Sequence, residues 1–136
     1  MKRILLTIFL LAAQSAFVFA QDPFIKNFNT TNGLYTNNVY NAFQDSNGFI
    51  WFASRIGAIR YDGINFKLYD RSDGLDGTIV LRIKEDSFGR IWFINYNGSV
   101  NYLYNNQIHN TSNTPFLEKL KTGIHYTTFI EENDGD

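Results

Sequence analysis

Two stretches of this chain are one stretch written twice. A shift of 41 positions carries Gly33-Leu34 onto Gly74-Leu75, Val39 onto Val80 and Asp45-Ser46-Asn47-Gly48 onto Asp86-Ser87-Phe88-Gly89. The same shift carries Ile50-Trp51-Phe52 onto Ile91-Trp92-Phe93, Gly57 onto Gly98 and Tyr61 onto Tyr102, and it pairs the two tryptophans of the protein with each other. A period of this length constrains the fold more than any local propensity, because each unit is too small to bury its faces alone and must stack on its neighbours. The offset also accounts for the ends. Ile25-Lys26-Asn27-Phe28 ahead of Asn32-Gly33-Leu34 matches Phe66-Lys67-Leu68-Tyr69 ahead of Asp73-Gly74-Leu75, so residues 24–29 read as the last strand of a unit. Phe129-Ile130-Glu131-Glu132-Asn133-Asp134-Gly135 reproduces Ile83 to Gly89 at an offset of 46, so a third unit is expected to start within 123–136. The extra residues fall between Asn110 and Thr122, where Thr114-Pro115 is suited to open a short helical turn.

Inside each unit the apolar residues follow the period of strands. Val39–Gln44, Phe49–Ser54, Ala58–Tyr61 and Phe66–Tyr69 read as four short strands, with Ile50 and Phe52 on one face of the second and Trp51 on the other. Between them stand turn residues: Asp45 to Gly48, Gly57, and Asp62-Gly63, the last a strong hairpin signal. Aromatic residues make up 17% of the chain and glycines number 10, which suits half-buried strands and tight turns. No window carries a sustained helical stripe. The fold class expected is therefore all-β, with four antiparallel strands per unit of propeller-blade size. A solenoid stays open at this point, while a sandwich does not predict identity at every turn of a whole repeat. The expected organisation is a clasp strand at 24–29, one blade at 34–70, a second at 75–110 and the start of a third at 123–136. That is an incomplete ring whose two outer faces need covering, so the chain by itself is expected to be poorly soluble or partly disordered.

The first twenty residues belong to a different category. Met1-Lys2-Arg3 is followed by an apolar run from Ile4 to Ala13, and Val18 and Ala20 place small residues where a signal peptidase reads them. Residues 1–20 are therefore expected to be a cleaved signal peptide. The apolar run is broken at Gln14-Ser15, short of the roughly 20 residues that a membrane-spanning helix needs. Without a cysteine there is no disulfide, no lipid-modified cysteine, no thiolate metal ligand and no thiol nucleophile. A formal net charge of −1 argues against nucleic acid as a partner.

The residues Gly33-Leu34-Tyr35-Thr36-Asn37-Asn38-Val39, then Asp45 to Phe52, then Gly57 to Phe66 together resemble the two-component regulator propeller repeat. The first unit follows that pattern closely. The second replaces the Asp-Gly turn with Tyr104-Asn105-Asn106-Gln107 and lacks the asparagine before Val80. The resemblance implies a blade of an extracytoplasmic sensing propeller of hybrid two-component histidine kinases, with further blades, a membrane helix and a kinase outside this chain. It implies a periplasmic or cell-surface location, no catalytic role for this segment, and as partners the remaining blades and a small ligand, with carbohydrate as one class. A secreted glycan-binding or adhesion propeller and a propeller-fold lyase are the alternatives.

Chemistry-bearing residues are sparse. The turn Asp45-Ser46-Asn47-Gly48 has some look of a calcium loop, but the alternating ligands and distal glutamate of such a loop are missing, and its recurrence favours a structural turn. Trp51 and Trp92 could stack on a sugar, yet their shared repeat position favours packing between blades. His109 and His125 lack the spacing of metal ligands or of a catalytic pair, and Ser54 and Ser99 have no nucleophile elbow around them. No metal, cofactor or catalytic residue is expected. Asn29-Thr30-Thr31, Asn97-Gly98-Ser99 and Asn110-Thr111-Ser112 read as turn chemistry rather than glycosylation sites. The scaffold consumes the shared positions, so ligand-binding candidates are those that break the repeat: Tyr35 against Asp76, Arg55 against Tyr96 and Arg60 against Asn101.

Overall fold

The computed structural model describes residues 25–121. The expected signal peptide, Phe24, His125 and the start of the third unit lie outside the described residues. Within them the chain makes eight strands: β1 (Val39–Gln44), β2 (Ile50–Ser54), β3 (Gly57–Tyr61), β4 (Phe66–Tyr69), β5 (Val80–Glu85), β6 (Ile91–Asn95), β7 (Val100–Tyr104) and β8 (Gln107–His109). They form two antiparallel sheets in simple chain order, β1-β2-β3-β4 and β5-β6-β7-β8, each joined only by hairpins. These are two propeller blades, here blade 1 and blade 2, and each strand stands within a residue or two of its sequence-based place. The helical turn at Thr114-Pro115 is a 3-10 helix, Pro115–Leu120, with proline in its first turn where a missing N–H costs nothing. Residues 25–29 form no strand and pair with neither sheet.

The alternation of each strand divides each blade into a front and a back. The back of blade 1 (Trp51, Ala53, Ala58, Tyr69) packs on the front of blade 2 (Val80, Ile83, Ile91, Phe93, Leu103, Ile108), with Leu75 of the connection between them. The front of blade 1 gathers Phe52, Ile59, Tyr61 and Phe66 with Leu34, and Phe28 closes over it with ring centroids 5.3 Å from Phe52 and 5.1 Å from Tyr61. The back of blade 2 gathers Trp92, Val100 and Tyr102 with Leu117 of the 3-10 helix. Each connecting segment thus inserts one leucine into one blade face: Leu34, Leu75 and Leu117 are all buried. Trp51 is 1% exposed and 5.7 Å from the Phe93 ring, which is the inter-blade packing expected of it. A buried side chain of that size is worth roughly 3–5 kcal/mol.

The connections share a second device. Asn29 accepts from the N–H of Thr31 while Asn32 accepts from the N–H of Asn29, at 2.9 and 2.8 Å. Asp70 with Ser72 and Asp73, and Asn110 with Ser112 and Asn113, repeat this reciprocal box. Two of the three glycosylation-like triplets are therefore turn chemistry, and so is the third: Asn97 accepts from both the N–H and the hydroxyl of Ser99.

One part of the ungapped comparison is corrected. In blade 1 the β2–β3 turn closes on Ser54 opposite Gly57, leaving two residues between them. In blade 2 Asn95 N–H bonds Ser99 across a turn of three residues, and Trp92 pairs with Tyr102. The register partner of Trp51 is Arg60. Arg60 therefore corresponds to Tyr102, not to Asn101, and Asn101 corresponds to Ile59. Because side chains alternate with period two, this one-residue insertion turns the matched tyrosines to opposite faces: Tyr61 meets Phe28 on the front, whereas Tyr102 meets Trp92 on the back. Gly57 and Gly98 separate as well. A side chain at Gly57 would reach within 2.2 Å of the Tyr69 carbonyl, whereas β8 ends at His109 and leaves room for Ser99 in the corresponding place.

Candidate functional site

Strand direction places the turns at two rims. β1–β2 and β3–β4 turns lie at one, and β2–β3 turns and the connection between blades lie at the other, the connection rim. The first rim is built by its aspartates. Asp45 accepts from the N–H groups of Asn47 and Phe49 through one oxygen and from the Trp51 indole at 2.7 Å through the other. Asp86 repeats this with Phe88, Arg90 and the Trp92 indole at 2.6 Å. An aspartate six residues before a tryptophan therefore locks the turn to the face residue. Its oxygens are engaged inside the protein, so the turn is structural. Burial opposes charge on Asp86, but the indole, the Arg90 N–H and the Arg90 guanidinium outweigh it and hold its carboxyl below the ordinary value of 3.8.

Arg60 also belongs to this structural zone. Its guanidinium lies 4.6 Å from the Phe49 ring centroid and 5.8 Å from that of Trp51. Tyr35 is half exposed and Arg55 exposed, both at the connection rim of blade 1, so two of the three candidates share a rim and Arg60 stands apart. At that rim the Arg55 N–H bonds the Asn38 carbonyl at 3.4 Å, and in blade 2 the Tyr96 N–H bonds the Ile79 carbonyl at 2.9 Å. The β2–β3 turn is in this way tied to the segment entering each blade.

The corresponding place in blade 2 holds a pocket of about 230 Å³ lined by Arg71, Asp76, Gly77, Thr78, Ile79, Tyr96 and Asn97. A polar network forms its wall. Asn101 donates to Asp76 at 2.8 Å and accepts from Asn95 at 2.8 Å, while Thr111 donates both N–H and hydroxyl to Asp76. Asn95 is fully buried, its amide N–H groups are used on Ser99 and Asn101, and its Oδ1 has no hydrogen-bond partner. Gly77 rides directly over it, since a side chain there would come within 2.8 Å of Asn95 Cβ and 3.0 Å of Asn97 Oδ1. The pocket therefore carries one guanidinium, a half-exposed tyrosine, a hydroxyl and the apolar Ile79, with the Asp76 carboxylate and the Asn97 amide already engaged within the protein. That set suits a small polar, uncharged or weakly anionic ligand. It contains no paired acid and base.

None of the candidates Tyr35, Arg55 and Arg60 lines this pocket; the repeat counterparts of the first two, Asp76 and Tyr96, do, and the buried Asn101 lies behind Asp76. Arg71, Thr78, Asn95 and Asn97 were missed. Their signal is a cluster of asparagines, Asn95, Asn97 and Asn101, where blade 1 has Ser54, Ile56 and Ile59. His109 stacks on Tyr102 at 4.4 Å and shares Nδ1 with the Thr114 hydroxyl. Among the described residues no group of three or more His, Cys, Asp or Glu could hold a metal ion, and no helix is long and apolar enough to cross a membrane.

The described residues form two four-stranded propeller blades with a pocket at the connection rim of blade 2. A family model described as two component regulator propeller matches residues 36–55, which run from the entry of blade 1 through its Asp45–Trp51 lock. The match covers one repeat, within blade 1. Among solved structures it is similar to the extracellular domain of a protein from B. thetaiotaomicron described as a hybrid two component system. That likeness has a TM-score of 0.54 and 25% identity, over 62% of this chain and 13% of that one. It is also similar, with a TM-score of 0.47 and 27% identity over 54% of this chain and 11% of the other, to the extracellular domain of a B. thetaiotaomicron protein described as a one component system. No curated protein matches the sequence. The chain spans about an eighth of the first of these solved structures.

Proposed function

We propose that this chain is the N-terminal part of a periplasmic, ligand-sensing propeller of a two-component regulator. The observation that carries the reading is the repeat at residues 36–55 on a blade whose neighbour presents a pocket at its connection rim. The likeness to an extracellular domain supports export, in agreement with the signal-like start of the chain. The ligand is a small molecule, with a saccharide as the leading class, because the half-exposed Tyr96 stands beside Arg71 and Thr78 in the lining. Signalling rests on segments beyond this chain, to which the blades pass a change in inter-blade packing.

The test is thermal-shift and calorimetric titration of the exported protein against a panel of oligosaccharides, alongside Tyr96→Ala and Arg71→Ala. At least one oligosaccharide is expected to bind with a loss of tenfold or more in either variant. If binding is unchanged in both variants, the rim pocket is not the sensing site; binding without any change in downstream phosphotransfer favours the adhesion reading. Mass spectrometry of the mature N-terminus is expected to find Gln21 first.

A further inference from the structure

The contact between the two blades contains a latch that the repeat encodes. Ser46, second residue of the β1–β2 turn, donates its N–H to Glu85 Oε2 at 2.7 Å and its hydroxyl to Glu85 Oε1 at 2.6 Å. Glu85 is the last residue of β5, so both oxygens of one carboxylate are held by one residue of the neighbouring blade through charge-assisted bonds. The turn that presents Ser46 is set beforehand by Asp45, which pins Asn47, Phe49 and Trp51. Beside the latch, Asn41 Oδ1 accepts the Ile83 N–H at 3.2 Å.

Blade 2 builds the same turn. Asp86 pins Phe88, Arg90 and Trp92, which places Ser87 in blade 2 where Ser46 stands in blade 1. We propose that Ser87 latches a further blade in the same way, and that its acceptor is Glu131 in the C-terminal segment of this chain, outside the described residues. Glu131 falls on Glu85 in the repeat, and Phe129 falls on Ile83. In sequence the carboxylate therefore follows an apolar residue two places before it, as Glu85 follows Ile83. Charge agrees with this occupant. On the back of blade 2, β5 presents Arg82 and Lys84, register partners of Ile94 and Trp92, where β1 presents Asn41 and Phe43. The segment that fits this basic edge reads Glu131-Glu132-Asn133-Asp134. On the front of blade 1 the latch position holds Gln44, which bonds the Gly48 carbonyl of its own turn. The latch therefore runs in one direction along the chain, from a turn serine to the next blade's glutamate.

The test is a double-mutant cycle in the full chain with Ser87→Ala and Glu131→Gln, read as unfolding equilibrium constants, with the Ser46→Ala and Glu85→Gln cycle as reference. Each single substitution is expected to lower the folded-to-unfolded ratio about fivefold, and the double variant no further. Glu132→Gln changes it less than about twofold. An additive double variant, about 25-fold, overturns the proposal, whatever the reference cycle shows. Hydrogen exchange gives an independent reading: the Ser87 amide loses its protection in Glu131→Gln. Unchanged protection there also overturns it.

Discussion

Blade 1 and blade 2 make the same cation–aromatic contact with the partners exchanged. In blade 1 the arginine is Arg60 on β3 and the ring is Phe49 before β2, 4.6 Å apart. In blade 2 the arginine is Arg90, at the position of Phe49, and the ring is Tyr102, at the position of Arg60, 5.5 Å apart. The scaffold asks for one cation against one aromatic face beside the tryptophan and is indifferent to which strand supplies which. Where the blades do differ is the connection rim. Blade 1 ends its β2–β3 hairpin with two residues and an apolar Ile59 behind it, and blade 2 uses three residues and buries Asn95 and Asn101. The rim with the inserted residue carries the pocket lined by Asp76 and Tyr96.

The largest test of this comparison is at the shared tryptophan. Trp51→Ala is expected to cost about 4 kcal/mol of stability in denaturant unfolding, because a fully buried ring between two blades leaves a cavity. Trp51→Phe should lose about half of that, since it keeps most of the packing but strands Asp45 without its indole donor. No cost for Trp51→Phe would mean that the aspartate lock contributes nothing beyond ring volume, and equal costs would mean the reverse.

Next is the lock itself, through pH. The Asp86 carboxyl is harder to protonate in the folded protein than in the unfolded chain. Its contribution to stability is therefore complete above the ordinary value of 3.8 and drains away as pH falls through the lowered folded value. Asp86→Asn is expected to be destabilised by about 2 kcal/mol at pH 7, with the gap to the unsubstituted protein narrowing below pH 4. A gap of constant size from pH 7 to pH 3 would remove Asp86 from the acid-sensitive groups.

At the rim, Gly77→Ala should cost about 1–2 kcal/mol, since the added carbon meets Asn95 and must push it off Ser99 and Asn101. The same change at Gly48, which has nothing within 4 Å, is strained only by its backbone φ of 86°. If Gly77→Ala is silent in unfolding, the Asn95 network is looser than its bond lengths say.

The smallest effect is the sharpest probe of the exchange. Phe49→Arg alone sets two cations side by side and should cost about 1–2 kcal/mol, whereas Phe49→Arg with Arg60→Tyr rebuilds blade 2's version and should return to within about 0.5 kcal/mol of the original. Failure of that rescue would show that the two blades are not interchangeable at this contact.

Much of this was legible in the residues. The 41-residue identity, the turn at Asp45, the strand edges and the proline-led helical turn all depend on nearby residues, and local sterics and hydrogen bonding decide them. Phe52 and Trp51 on opposite faces follow from the same alternation. The rim was not legible in this way. An ungapped comparison keeps Tyr61 and Tyr102 in step because both are tyrosine, whereas the ladder shows them one residue apart and on opposite faces.

By itself the sequence determined the class of unit, its period and the side of each strand that is apolar, because those properties are carried by contacts within a few residues. The tertiary structure alone decided where the extra residue of blade 2 is accommodated, which asparagines are drawn into the Asp76 network and that Arg60 lies on rings rather than at the rim. Those outcomes depend on which strand stands across from which. A pairing between residues distant in the chain is fixed by the sum of many weak contacts, and no single residue states it.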